Sequence, residues 1–103
     1  MVNHSKQMMA LVRAVVLLDY PESADLGRAI AAEQRFARPT SNYATELNSA
    51  LPPRFFDLQD QLRARGQRLE AAARARDSNA VAKSFGAVAE TCVSCHSAYL
   101  SFH

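Results

Sequence analysis

Three chemically uncommon side chains stand together near the end of the chain, in the run Cys92-Val93-Ser94-Cys95-His96. Two sulfurs three residues apart on a helix face the same way, and the adjacent imidazole projects from the same segment. The spacing is that of haem c attachment, in which both thiols add to the vinyl groups along one side of a porphyrin and the histidine takes the iron. Other chemistries use some of these residues. A Cys-x-x-Cys pair can be a thiol redox centre, but such pairs normally open a helix after a strand in a βαβ unit. Zinc would need Cys92, Cys95 and His96 to recruit His103 or His4, and structural zinc sites usually draw a second ligand pair from elsewhere in the chain. The plain alternative is two buried cysteines beside an unrelated histidine. The motif and its helical surroundings favour one covalently bound haem, held by Cys92 and Cys95, with His96 as the proximal iron ligand.

The elements that must position this motif read as four helices. The first spans roughly His4 to Asp19, with His4, Met8, Leu11, Val12, Val15 and Leu18 on one stripe. Tyr20-Pro21-Glu22-Ser23 breaks it, because proline disfavours a helical residue before it and suits the first turn of a new helix. The second helix runs from about Pro21 to Ala37, with Leu26, Ile30 and Phe36 inward. Residues 38–52 form a long connection, with a short turn of helix expected around Tyr43 to Ser49. The third helix opens at Pro53 and continues to about Arg76, burying Phe55, Leu58, Leu62, Leu69 and Ala73. Gly66, in its middle, either admits a close neighbour or is incidental, at a cost of roughly 1 kcal/mol relative to alanine. Asp77-Ser78 reads as the turn and N-cap of the fourth helix. There Val81, Phe85, Val88, Cys92, Cys95, Tyr99 and Phe102 recur at spacings of four and three, so both cysteines fall on the core seam of a bundle.

Composition agrees with one all-α domain over residues 1–103. The chain is 49% hydrophobic and 21% charged, and glycine is scarce. Its formal charge is +2, from ten arginines and two lysines against ten acidic residues. Acidic Asp57, Asp60, Glu70 and Asp77 interleave with Arg63, Arg65, Arg68, Arg74 and Arg76, the pattern of a solvated helix face rather than a nucleic-acid surface. The longest apolar run, Ala14 to Leu18, is far too short to span a membrane. No secretory leader is legible at the N-terminus, although covalent haem attachment normally takes place outside the cytoplasm, so a periplasmic location with a leader outside the numbered chain is expected. No paired carboxylates and no Ser/His/Asp arrangement accompany the motif, and enzymatic turnover is not expected.

Only seven residues follow His96, none of them methionine, so a second iron ligand must come from upstream. This layout resembles the class II c-type cytochromes, the cytochrome c-prime group and its low-spin relatives. The resemblance implies an antiparallel four-helix bundle with one covalently bound haem on the last helix, and a possible homodimer paired through the first two helices. In such a bundle the start of the first helix lies beside the end of the fourth. His4, Met8 and Met9 are then the candidates for the sixth position, and His4 and Met8, one turn apart, cannot both occupy it. The run His4-Ser5-Lys6 followed by Ala14-Val15-Val16 also resembles short bacterial class II domains with an early histidine. That ranks His4 first as distal ligand and Met8 as the alternative, with both methionines otherwise serving as flexible apolar filler. Lys6 and Arg13 are candidates to pair with haem propionates. Two functions follow: electron transfer with redox partner proteins, if the iron has two protein ligands, or binding and sensing of NO or CO if it has one, with Met8, Met9 and Leu11 controlling access.

Overall fold

The computed structural model of the protein describes residues 2–33 and 52–99. It places four helices there: α1 (Val2–Val16), α2 (Tyr20–Ala32), α3 (Pro53–Arg74) and α4 (Ser78–Tyr99), with no strand among the described residues. They form the expected four-helix bundle. None is long and apolar enough to cross a membrane. The expected turn around Tyr43 to Ser49, and Phe36, Phe102 and His103, lie outside the described residues.

The two short connections are built alike. After α1 the chain turns at Leu18 with φ 58°, and after α3 at Arg76 with φ 56°. At both ends a pair of backbone bonds closes the helix: Leu18 and Asp19 donate to the carbonyls of Val15 and Ala14, Arg76 and Asp77 to those of Ala73 and Ala72. The aspartate after each left-handed residue then caps the next helix. Asp19 Oδ1 accepts from the Glu22 N–H, and Asp77 Oδ1 from the Ala80 N–H, both at 3.1 Å. A left-handed non-glycine residue costs about 1–2 kcal/mol, and an aspartate N-cap contributes about the same in the opposite sense. The Arg76 guanidinium lies 5.0 Å from the centre of the Tyr20 ring, tying the two turns together at one end of the bundle.

This geometry corrects the boundaries of the first two helices. The break between them falls at Leu17 to Asp19, ahead of Pro21, because the cap belongs to Asp19. Leu18 and Val12, expected on the inner stripe, are 54% and 46% exposed, and the buried seam of α1 runs through Leu11 and Ala14 instead. On the other side, α2 ends at Ala32 rather than Ala37, since Glu33 turns out of the helix with ψ 140°. The third helix falls within two residues of its expected limits and the fourth begins where expected, at Ser78.

The core is Leu11, Ala24, Ile30, Leu69, Ala72, Ala73, Val81 and Val88. Its tightest seam lies between α2 and α3, where glycines meet. A Cβ added at Gly66 would stand 2.9 Å from the Gly27 carbonyl and 3.2 Å from Ala31; one added at Gly27 would stand 3.0 Å from the Gly66 carbonyl. Gly66 is therefore a close-approach glycine. Helices α2 and α3 pack in backbone contact, whereas α1 and α4 barely touch. Gly66→Ala is expected to cost about 1–3 kcal/mol through overpacking. Gly86→Ala, with nothing within 4 Å of the new methyl, is expected to stabilise by about 0.5–1 kcal/mol. Urea unfolding of both variants checks the pair, and equal effects would refute the packing explanation.

Candidate functional site

Helix α4 begins inside the core and ends at its edge. Val81 and Val88 are fully buried, Phe85 and Cys92 are half-buried against the core, Cys95 is half-buried, and His96 is exposed. The neighbour that would cover its second half is α1, and α1 stands apart. A groove of about 650 Å³ opens between them, at the end of the bundle away from the two short turns. That volume lies within the range of about 300–1,000 Å³ typical of cofactor pockets.

Helices α1, α3 and α4 supply its walls. Cys92, Cys95 and His96 line the groove from α4, so the three residues of the motif share one space. Met8 and Met9 face them from α1. Leu58 and Leu62 form the floor from α3, with Phe55 held edge-on against Phe56 at a ring separation of 5.5 Å. Ser5 and Glu33 mark the polar rim. The start of the first helix therefore does lie beside the end of the fourth, as an antiparallel bundle requires.

The electrostatics distinguish among the chemistries open to two cysteines. Neither thiol is in a disulfide. Burial pushes the Cys92 thiol up from its ordinary range, and the neighbouring Cys95 adds to the effect; burial alone raises Cys95. Reactive dithiol centres need the opposite, a pKa lowered by positive surroundings or a helix N-terminus. The further zinc ligands that the sequence offered, His4 and His103, have side chains outside the described residues. The donor set suits haem: two thiols one helical turn apart, an imidazole in the next position, and a largely apolar groove of cofactor-sized volume.

A family model described as Cytochrome C' matches residues 33–100, more than half of the chain and all of α3 and the motif. The chain belongs to the cytochrome C' family. No curated protein and no solved structure matches it. Membership implies that it binds haem, and the groove against α4 has a volume in the range that cofactors take.

Several expectations about individual residues fare differently. Met8 and Met9 line the groove, but Leu11 is fully buried in the core and contributes no wall. Arg13 lies on a separate hollow lined by Ala10, Leu17, Asp19 and Glu22. It is one side of the turn, not of the groove. Lys6 is exposed. The side chains of His4 and Tyr99 lie outside the described residues. Two polar residues were not anticipated at all. Gln7 follows the seam of Leu11 and Ala14 at helical spacing, and its Oε1 is buried with no partner among the described residues. Thr91, next to Cys92, is 2% exposed and lines the groove.

The raised thiol pKa values have a direct consequence for the chain before any group is attached. A folded pKa above the unfolded one means stability present below the ordinary thiol range and lost as pH rises through the folded value. Alkylation by iodoacetamide at pH 8 is expected to be slower in the folded chain than in urea, and slower at Cys92 than at Cys95. Peptide mapping by mass spectrometry reads both rates; faster labelling when folded would contradict the assigned surroundings.

Proposed function

We propose that this cytochrome is an electron-transfer protein carrying a single haem, bound covalently through Cys92 and Cys95 with His96 as the proximal iron ligand. The observation that carries the reading is the groove itself, in which both thiols and the imidazole face an apolar space walled by Met8 and Met9. The group bound there supplies reversible one-electron chemistry at iron. The chain supplies the rest. Cys92 and Cys95 tether from the core seam, Leu58 and Leu62 exclude water, and the histidine in the next position fixes the proximal side.

On the distal side we place a residue of the first helix, His4 before Met8. Support comes from the register of α1: Ser5, Met8 and Met9 line the groove, and His4 stands one turn before Met8. Two protein ligands would let the iron change oxidation state without ligand exchange, which suits electron transfer. The methionine wall also supports a second reading. Without a distal ligand, two flexible thioethers would face an open iron, and NO or CO could bind there. A periplasmic location belongs to the same proposal, since cytochrome C' proteins are generally periplasmic. So do a redox partner protein and the absence of enzymatic turnover.

Expression with the periplasmic haem-attachment machinery tests this. The expected product is red, heavier than the polypeptide by one haem, and shows a sharp reduced α-band. Cys92→Ser combined with Cys95→Ser should abolish covalent retention in denaturant. His4→Ala should convert a low-spin spectrum to high-spin; an unchanged low-spin spectrum would pass the distal role to Met8. A high-spin wild type that responds to carbon monoxide would favour gas binding. A product with the bare polypeptide mass and both thiols free would overturn the proposal.

A further inference from the structure

Arg65 of α3 reaches across to α4 beside the Cys92–His96 motif. Its Nη1 donates to Thr91 Oγ1 at 2.7 Å and to the Ala87 carbonyl at 3.0 Å. The Thr91 hydroxyl in turn donates to the same Ala87 carbonyl at 3.0 Å, so both its donor and acceptor capacity are used. Thr91 immediately precedes Cys92 and lines the groove. The third contact of Arg65, to Glu90 at 3.4 Å, involves a carboxylate 72% exposed, while the Arg65 side chain is 24% exposed. An ion pair with one partner so exposed is weak and leaves most of the positive charge uncompensated.

A half-buried guanidinium with neutral acceptors and a weak counter-ion is a fixed positive charge, and arginine keeps that charge at every accessible pH. Across the buried threonine from it stands the wall that carries Cys92. From this we infer that Arg65 is a positioning residue of the haem site: it pins α4 at Thr91 so that Cys92 faces the groove, and its charge favours the reduced over the oxidised state of the bound group. The inference rests on the haem-binding reading above. The oxidised state carries one more positive charge than the reduced state, so a nearby fixed cation disfavours oxidation, and the interaction is stronger away from water. No sequence feature singles out this arginine among ten; only the bonds to Thr91 and Ala87 do.

The test uses haem-loaded protein and reads the midpoint potential by spectroscopic titration at low ionic strength, alongside haem incorporated per polypeptide. Arg65→Gln keeps hydrogen-bonding capacity without charge, and its midpoint is expected to fall below that of the wild type. Arg74→Ala removes an equal charge from an exposed arginine paired with Glu70 and is expected to leave the midpoint where it was. Equal midpoints for Arg65→Gln and wild type would overturn the electrostatic role, as would an equal fall in Arg74→Ala. If Arg65→Gln does not accumulate, Arg65→Lys decides. It keeps the charge but not the planar fork, so a wild-type midpoint with reduced haem incorporation supports the inference, and any other combination overturns it. A colourless wild type overturns the haem reading and this inference together, whereas a red wild type with an unchanged Arg65→Gln midpoint removes only the latter.

Discussion

Where α2 and α3 cross, the carbonyl of each glycine occupies the space that a side chain would take on the other, and the two backbones meet directly. That contact admits no adjustment, because a shift of either helix would drive a carbonyl into the opposing chain or open a void. The other two helices are placed from it. Helix α1 leans on α2, α4 leans on α3, and each is joined to its neighbour by a short left-handed turn at the same end of the bundle. Four helices anchored at one end and packed on a central pair need not close at the other. Helices α1 and α4 scarcely meet, and the space between them becomes the groove.

Much of this was legible in the sequence, and what was not has identifiable causes. The four helices could be read from apolar spacing, the start of α4 from Asp77, and the motif from three residues in fixed register. The turn at Leu18 could not. Left-handed closures are normally signalled by glycine or asparagine, and here leucine and arginine occupy them, stabilised by paired backbone bonds and an aspartate cap. A reader of periodicity therefore keeps Leu18 on the inner stripe and places the break at Pro21. Val12 misleads for a related reason: its spacing fits the stripe, but it is left 46% exposed. Gly66 was ambiguous because a close approach needs the partner glycine, Gly27, thirty-nine positions earlier, and nothing local pairs them.

At the site, the sequence identified the residues that would bond to a cofactor but not those that hold them in place. Cysteine and histidine announce themselves by rarity and spacing. Arg65 and Thr91 are common residue types whose significance lies in burial and in a bond between helices, which a linear pattern does not record. Arg13 shows the converse. It sits near the distal candidates along the chain, yet α1 turns it toward the Asp19 cap rather than toward the groove.

The asymmetry between α4 and α1 also bears on how such a site can be used. On the proposed attachment, two thioether bonds and the proximal histidine all come from one helix, and that helix is pinned to α3 through Arg65 and packed into the core through Val81 and Val88. The first helix contributes only what faces the iron from the far side. Retention and proximal geometry would then be independent of α1, and the distal position could hold a histidine, a thioether or no ligand without loss of the group. Substitution on one turn of α1 would decide between electron transfer and gas binding, while the α3–α4 half of the bundle, the part that carries the family match, stays the same.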